Sequence, residues 1–244
     1  GLARSLGAVP ERVHSAATAV ADTIRAFRTA QNERRTVVLS VPLDIQSQPV
    51  PAGLPDRAAA VPPTGFVRPN ATLVRGLADI LGTAKRPVFV AGRGARDAGP
   101  ELRALAAQSG ALLATSAVAN GLFNGEEFNL GIAGGFSAPE TAALISEADL
   151  IIGWGCTLNM WTMRHGSLIN PDAVVVQVDL EDSALGANRE IHLGIIGDCA
   201  ATAADVLAEL QATVSEPAEK YRTPETAARI AAGSRWQDVP VEDL

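Results

Sequence analysis

The sequence has few of the residues that mark a metal site or a disulfide framework. Its 244 residues include two cysteines and three histidines. Cys156 and Cys199 form no C-x-x-C pair, and the histidines are widely scattered, so the spacing matches neither a zinc site nor a disulfide scaffold. We expect both thiols to be reduced core residues of a cytoplasmic protein, and no side chain to bind a metal.

Positive charge is also scarce, because 20 lysines and arginines face 27 aspartates and glutamates, for a net charge of −7. An acidic chain has no electrostatic reason to bind DNA, RNA or an anionic membrane, and no apolar run is long enough to span a bilayer. The sequence contains no nucleophile elbow, no G-x-x-x-x-G-K-[ST] loop and no H-E-x-x-H motif. We therefore expect no nucleic acid, no membrane and no complete set of catalytic residues.

Residues 1–46 contain too little structure to form a domain alone. Apolar residues recur at helical spacing over roughly residues 11–30, and residues 36–41 are typical of a strand. A helix and one strand cannot bury their apolar faces by themselves, so they either pack on the next domain or form the edge of a missing one. The chain begins at Gly1 without an initiator methionine, and we expect a piece of a longer protein.

Two further segments lack a regular apolar pattern. Residues 47–69 are rich in proline, which is typical of an interdomain linker. The prolines are Pro49, Pro51, Pro55, Pro62, Pro63 and Pro69. Residues 213–244 are polar apart from a helical patch near 225–232 and Trp236, and we expect a linker or a loosely packed arm.

Residues 70–212 alternate short apolar strands with helices. Strands are predicted near residues 88–90, 111–114, 149–153, 173–178 and 194–197. This order predicts an α/β fold with a parallel, doubly wound sheet and helices on both faces. Residues 122–136, which contain Gly131, Gly134 and Gly135, are predicted to be a loop.

Three helix starts carry capping signals. Asn70, before a helix that runs through about Leu81, and Asp198 are both preferred N-cap residues. The run Ser137-Ala-Pro-Glu140 matches a capping box, in which the serine accepts from the third backbone N–H and the glutamate reaches back. It predicts a helix that begins at Ser137, beside the glycines of the preceding loop.

Glycines directly follow two of the predicted strands. Gly92 and Gly94 precede a helical pattern, while Gly153 and Gly155 form a second Gly-x-Gly turn. Bare N–H groups at such a turn, next to a helix N-terminus, bind phosphate well. The same glycines also suit a tight turn or close packing, and Asp97 stands where G-x-G-x-x-G has its third glycine. Both interpretations are open at this point.

Four features are expected at one edge of the sheet, because ligands of open α/β sheets lie at the carboxyl ends of the strands. They are Gly92 with Gly94, Thr115 with Ser116, Gly153 with Gly155, and Asp179. The Asp179 carboxylate can accept two hydroxyl hydrogen bonds from a ribose, although an aspartate there also serves as a turn or cap residue. Arg93 and Arg96 either hold a phosphate or are solvated, and we interpret Asp198 first as a helix cap.

Several bulky residues follow the second Gly-x-Gly turn. Trp154, Trp161 and Met163 either form the floor under a flat ring or fill the space beneath a long loop, and we favour the second interpretation. His165 has no evident carboxylate or serine partner in the sequence, so we expect it at the surface.

Six segments, taken in order, span about residues 85–212. They are Pro87-Val-Phe-Val-Ala-Gly-Arg-Gly-Ala-Arg96, Glu101-Leu-Arg-Ala-Leu-Ala-Ala107, Leu130-Gly-Ile-Ala-Gly134, Glu147-Ala-Asp-Leu-Ile-Ile-Gly153, Val176-Gln-Val-Asp-Leu180 and Ile195-Ile-Gly-Asp198. As a series they resemble the central domain of thiamine-diphosphate-dependent enzymes, in the acetolactate synthase, benzoylformate decarboxylase and benzaldehyde lyase group. Residues 36–44 resemble the closing strand of that family's pyrimidine-binding domain, just before its linker.

The resemblance implies an organisation for the whole chain. Residues 1–46 would be the end of a pyrimidine-binding domain and 47–69 its linker. Residues 70–212 would be the Rossmann-like central domain, and 213–244 a linker or arm towards a missing C-terminal domain. In the full protein the resemblance also implies a homo-oligomer, either a dimer or a tetramer.

In that family the central domain does not carry out the carbon–carbon chemistry. The resemblance implies a catalytic glutamate in an earlier domain, and in a later one a Gly-Asp-Gly…Asn motif for Mg²⁺ and the diphosphate. Neither is present in this chain. We expect the parent protein to be a 2-oxoacid lyase, decarboxylase or carboligase. The fragment alone should be inactive, with no catalytic residue and no tight binding of thiamine diphosphate or Mg²⁺.

Some relatives hold a non-redox FAD or an ADP in the central domain, and in others that site is vestigial. The matching positions here are Gly92, Arg93, Gly94, Thr115, Ser116, Ala117, Gly134, Gly135, Gly153, Asp179 and Asp198. FAD-binding relatives commonly carry an arginine two residues after the strand-end glycine, where this chain has Gly155, which weakens the FAD hypothesis. The alternative function is a free-standing Rossmann-like nucleotide-binding module that acts as a sensor or an electron-transfer partner.

Overall fold

The computed structural model describes residues 1–54, 65–213 and 216–233. The chain divides into two compact units, Gly1–Gly65 and Phe66–Leu244. Some residues that the sequence analysis singled out, Pro55, Pro62, Pro63 and Trp236, lie outside the described residues. The predicted domain boundaries themselves remain predictions.

The first unit is a small parallel β–α–β arrangement. Its strands β1 (Val9–Arg12) and β2 (Val37–Ser40) pair in parallel. Its helices are α1 (Leu2–Ser5), α2 (Ala19–Asn32) and α3 (Leu43–Gln46). The prediction of a helix from residue 11 is therefore wrong at its start. Residues 9–12 alternate between half-buried and exposed and pair with a segment distant in sequence, which overrides the helical spacing of the apolar residues.

Asp22 fixes the turn between β1 and α2. Its carboxylate accepts hydrogen bonds from the His14 backbone N–H at 2.9 Å, from Thr18 Oγ1 at 2.8 Å and from Arg25 Nη1 at 2.8 Å. These donors, the His14 N–H first, hold the pKa of Asp22 well below its usual range. A carboxylate satisfied in this way stabilises the first turn of the helix, where negative charge is favoured.

The second unit is built on a six-stranded parallel sheet. The strands are β3 (Pro87–Ala91), β4 (Leu112–Thr115), β5 (Asn129–Ile132), β6 (Leu150–Trp154), β7 (Val174–Asp179) and β8 (Leu193–Ile196). Their order is β5-β4-β3-β6-β7-β8. The chain starts in the middle of the sheet, proceeds to one edge and then returns to fill the other side, so the order reverses between β3 and β6.

Helices cover both faces of this sheet, as predicted. They are α4 (Ala71–Thr83), α5 (Gly99–Ser109), α6 (Pro139–Ser146), α7 (Cys199–Thr213) and α8 (Pro224–Gly233). Residues of α4, α5 and α7 share one buried cluster with Phe89, Ile152 and Val176. Residues of α6 share the other with Val88, Ile151 and Val175. Alternate residues of each strand thus feed opposite cores, and the doubly wound α/β fold is confirmed.

Two of the three predicted helix caps are confirmed. The Asn70 side chain accepts a hydrogen bond from the Thr72 N–H at 2.8 Å, and Asp198 accepts from the Ala201 N–H at 3.0 Å. The capping box at Ser137 is wrong, because α6 begins at Pro139 without a side-chain cap. Ser137 Oγ instead donates to the Gly134 carbonyl at 2.6 Å.

One strand and one packed segment were not predicted. The stretch predicted as a loop at 122–136 contains β5, which pairs with β4 and contributes Leu130 to the core. Residues 216–233, called the arm from here on, form no loose linker in the described part. The arm ends in α8, which matches the predicted helical patch, and Tyr221 and Ile230 of the arm lie in the core beside α6.

Candidate nucleotide site at the carboxyl edge of the sheet

The structure brings the predicted site residues to one edge of the sheet. In the parallel register Ala91 pairs with both Thr115 and Trp154, and Asp179 pairs with Ile196. Each strand therefore ends within a residue or two of its neighbour. Positions 92–94, 115–117, 134–135, 153, 179 and 198 lie in these strand ends or in the loops that follow them.

Three glycines pack directly against one another where the strand order reverses. We call Gly92, Gly94 and Gly155 the glycine seam. The Gly94 N–H donates to the Gly155 carbonyl at 3.1 Å, and the Gly92 N–H donates to the Trp154 carbonyl at 2.8 Å. A Cβ atom on Gly94 would lie 2.9 Å from the Gly155 Cα, and one on Gly92 would lie 2.7 Å from the Cys156 Cα. Side chains are therefore excluded here by the neighbouring loop.

Five further amides at this edge are also paired within the protein. Each N–H donates to a backbone carbonyl at 2.8 to 2.9 Å. The pairs, donor first, are Gly155 with Val178, Ser116 with Ala91, Ala133 with Thr115, Gly135 with Trp161 and Gly197 with Asp179. These bonds continue the pairing of adjacent strands one residue beyond the ladder or tie neighbouring loops together. They use donors that a phosphate cradle would require to be free.

Gly153 and Gly134 also have packing neighbours. Gly153 lies within β6 and is buried, and a Cβ there would come within 3.0 Å of the Leu158 side chain. Gly134 has a positive φ of 85°, and a Cβ there would lie 2.7 Å from the Thr162 Cα. These two glycines therefore place the loop after β6 close to β6 itself and to the loop after β5.

The polar side chains at the edge have different surroundings. Asp179 is half-buried and its Oδ1 accepts from the Glu181 N–H at 3.1 Å, so it makes the turn bond that the sequence left as an alternative. Ser116 is buried, and its hydroxyl has no hydrogen-bond partner among the described residues. Arg93 and Arg96 are exposed. The Ser116 hydroxyl is thus a polar group at this edge that the described residues do not use.

The bulky residues after β6 divide into core and surface positions. Trp154 is fully buried, with its ring 5.5 Å from that of Phe89 in an edge-to-face arrangement. Met163 is also buried, whereas Trp161 is 69% exposed. His165 is exposed, as predicted. Trp154 and Met163 therefore fill the interior, and they form no common platform with Trp161.

Two polar side chains that hold this edge together were missed from the sequence. Arg164 donates to the Gly134 carbonyl and to the Ser137 carbonyl, each at 3.0 Å, and so ties the loop after β6 to the loop after β5. Gln177 in β7 donates to the carbonyls of Cys156 and Ala184 and accepts from the Gly186 N–H. The single glutamine in an otherwise apolar strand was the available signal, because a buried amide must find partners.

Neither a metal site nor a membrane span is found among the described residues. No group of three or more histidine, cysteine, aspartate or glutamate side chains in residues 1–54, 65–213 and 216–233 could hold a metal ion. None of the helices in those ranges combines the length and apolar character needed to cross a membrane. Cys156 at the seam is buried, and this burial raises the pKa of its thiol to about 11.

A comparison with known protein families identifies the family to which the second unit belongs. The family model described as thiamine pyrophosphate enzyme, central domain, matches residues 74–210, which is more than half of the chain and runs from α4 to α7. The chain belongs to this family. The resemblance seen in the six sequence segments is thereby confirmed.

The chain is also similar to much longer curated proteins. An acetolactate synthase of Mycobacterium bovis is 27% identical over 190 residues, which are 76% of this chain and 31% of the relative. A sulfoacetaldehyde acetyltransferase of Rhodobacter capsulatus is 29% identical over 219 residues, 87% of this chain and 36% of the relative. The chloroplastic acetolactate synthase 2 of Nicotiana tabacum is 25% identical over 169 residues, 66% and 25% respectively. The chain thus spans about a third of such relatives or less.

Proposed function

We propose that this chain is the central domain of a thiamine-diphosphate-dependent enzyme that decarboxylates or ligates 2-oxo acids. The observation that carries the proposal is the family match over residues 74–210 together with its β5-β4-β3-β6-β7-β8 sheet. The acetolactate synthase and acetyltransferase relatives favour transferase or lyase chemistry over the alternative of a free-standing nucleotide module. In this proposal the second unit is a rigid scaffold for domains that carry the reaction.

The residues of this chain do not fit thiamine diphosphate with Mg²⁺. No Gly-Asp-Gly sequence occurs in the chain, and the described residues hold no acidic cluster that could bind the ion. We therefore assign no reaction step to this chain. Other parts of the parent protein would bind the cofactor, and the carbanion chemistry that it supplies as an electron sink would take place there.

The surface of the first unit supports further protein around it. Large apolar side chains are between 76% and 82% exposed, and they are Leu2, Leu6, Leu43 and Val50. A small two-stranded unit that leaves such side chains uncovered is typical of a piece of a larger domain. We propose that the rest of a pyrimidine-binding domain covers them, and that the parent protein is a dimer or a tetramer.

The test compares the 244-residue chain with the protein made from the complete reading frame that contains it. Isothermal calorimetry of the 244-residue chain with thiamine diphosphate and Mg²⁺ should show no micromolar binding, and the chain should release no CO₂ from pyruvate. The protein made from the complete reading frame should bind thiamine diphosphate with Mg²⁺ and should release CO₂ from pyruvate. Micromolar cofactor binding by the chain alone, or failure of the complete protein to act on any of a panel of 2-oxo acids, would contradict the proposal.

A further inference from the structure

We infer that the glycine seam closes the nucleotide crevice of this domain, so that the chain binds neither FAD nor ADP at the carboxyl edge of its sheet. This inference concerns the second unit alone. Its outcome does not depend on the 2-oxo acid chemistry of the parent protein, because that chemistry is proposed to lie in other domains.

The backbone donors of the glycine seam are already used within the protein. A phosphate at the end of a parallel sheet is bound by N–H groups that have no partner in the protein. Here the N–H groups of Gly92, Gly94 and Gly155 already donate to strand or loop carbonyls at 2.8 to 3.1 Å. A diphosphate bound by the amides of the glycine seam would have to break these bonds, and each carbonyl released by it would lose its partner in a buried or half-buried position.

The space between the loops after β3 and β6 is also filled by backbone atoms. The crevice for a dinucleotide opens where strand order reverses, which is between β3 and β6 in this sheet. At that point the backbone of Gly94 touches the backbone of Gly155 closely enough to exclude even a methyl group. Gly92 is buried under Gly155 and Cys156. The glycines of the motif are thus required by the contact between two loops, and no ligand is needed to explain them.

The centre of the edge also has a glycine, and no charged side chain, at position 155. Gly155, with a φ of 52°, follows the strand-end Gly153 by two residues and offers no side chain to a ligand. Arg93 and Arg96 are exposed on the other loop, while Arg164 is used to bind the Gly134 and Ser137 carbonyls. Arg189, which is half-buried, likewise donates its Nε to the Leu158 carbonyl at 2.8 Å. These four arginines are therefore either exposed or already bound to carbonyls of the protein.

The test is a titration of the purified 244-residue chain with FAD and, separately, with ADP. Flavin fluorescence and thermal unfolding are both measured, since a ligand at about 100 times its Kd raises the melting temperature by several degrees. We expect no saturable fluorescence change and no rise in melting temperature with either ligand at about 100 μM. Saturable binding of either ligand near one equivalent would overturn the inference.

Matched glycine variants test the seam independently of ligands. Gly94→Ala should lower the melting temperature or prevent folding, because its Cβ would meet the Gly155 backbone. Gly135→Ala is the control, since a Cβ there has no neighbour closer than 3.9 Å, and it should be neutral. If Gly94→Ala is as stable as the control, the seam is not tight and the inference fails.

An arginine variant tests whether a cation at the seam can restore nucleotide binding. Gly155→Arg introduces the cation expected in FAD-binding relatives, at a position that is closed by the Gly94 backbone. We expect it to be destabilised and still unable to bind FAD. A folded Gly155→Arg protein that binds FAD would overturn the inference, because the crevice would then be open to a dinucleotide.

Discussion

Arg229 in α8 binds both carboxylate oxygens of Glu147 at the end of α6. Its Nη1 lies 3.0 Å from Oε2 and its Nη2 lies 2.8 Å from Oε1, and its Nε donates to Glu140 on the first turn of the same helix. A bidentate guanidinium–carboxylate pair fixes orientation as well as distance. The arm is thereby held along α6, although it lies beyond the residues matched by the family model.

Arg229→Lys is expected to loosen the arm. A lysine keeps the charge and loses the planar fork, so it cannot bond both Glu147 oxygens and Glu140 together. Because these groups are partly exposed, the loss in the free energy of unfolding should be about 1 kcal/mol. Urea unfolding and limited proteolysis of residues 216–233 would measure it. Arg75→Lys, on the exposed face of α4, serves as the control and should change neither.

The Glu147 carboxylate makes this attachment sensitive to acid. The hydrogen bond from Arg229 lowers the pKa of Glu147 from its usual value of 4.5. A lower pKa in the folded chain means that the unfolded chain binds the proton first, so the pair stabilises the fold at neutral pH and the benefit is lost as pH falls below 4.5 through the folded value. Glu147→Gln should remove this component: wild type should be the more stable protein at pH 7, and the difference should shrink towards pH 3. A difference that is constant with pH would contradict this assignment.

Helix caps show where local sequence was sufficient and where it was not. Asn70 and Asp198 each bond an N–H two or three residues away, so neighbouring residues alone determined the outcome. Ser137 and Glu140 carry an equally good local signal, yet Arg229, 89 residues further on, takes the glutamate, and Gly134 takes the serine hydroxyl. A capping box fails when its members have stronger partners elsewhere.

The packing of the arm against the rest of the second unit could not be predicted for the same reason. Tyr221 donates to the Leu144 carbonyl at 2.8 Å, Arg222 donates to the Ala111 carbonyl at 2.7 Å, and Lys220 reaches the last carbonyls of α4. Each contact joins residues more than 70 positions apart. A polar segment with one tyrosine resembles a linker until the carbonyls that receive its donors are known.

The position of the candidate site could be predicted from the sequence, but whether its glycine N–H groups are free could not. Apolar runs and strand-end glycines indicated a parallel sheet whose loops meet at one edge, and the register of Ala91 with Trp154 confirms the arrangement. Whether a glycine N–H is free depends on the carbonyl opposite. For Gly94 that carbonyl belongs to Gly155, 61 residues later in the chain, and no local pattern specifies this pairing.

The same substitution at two glycines should have opposite effects. Gly76 lies inside α4, and the space that an added methyl group would occupy there is open, so Gly76→Ala should raise the free energy of unfolding by about 0.5–1 kcal/mol. Gly110 ends α5 with a φ of 67°, and a Cβ there would lie 2.9 Å from the Glu219 carbonyl oxygen of the arm. Gly110→Ala should cost at least about 1–2 kcal/mol. If Gly76→Ala and Gly110→Ala have equal free energies of unfolding in chemical denaturation, the arm does not contact Gly110 closely.

The thiol of Cys156 offers a direct report on the closed edge. It is buried beneath Gly92, and because burial raises its pKa to about 11, little thiolate exists at pH 8. Cys199, the other cysteine, is also buried. We expect a disulfide reagent such as DTNB to label both thiols only as fast as the native chain opens, so the rate should rise steeply with urea.

Gly94→Ala makes that measurement specific to the seam. If the variant folds, its Cβ pushes the loop of Gly155 and Cys156 away, so Cys156 should react faster than in wild type. Cys199, the first residue of α7, should still react at a rate set by global unfolding. Peptide mapping of the labelled protein separates the two sites. Rapid labelling of Cys156 in the native wild-type chain would mean that the loops after β3 and β6 part readily, and the closed edge would then have to be abandoned.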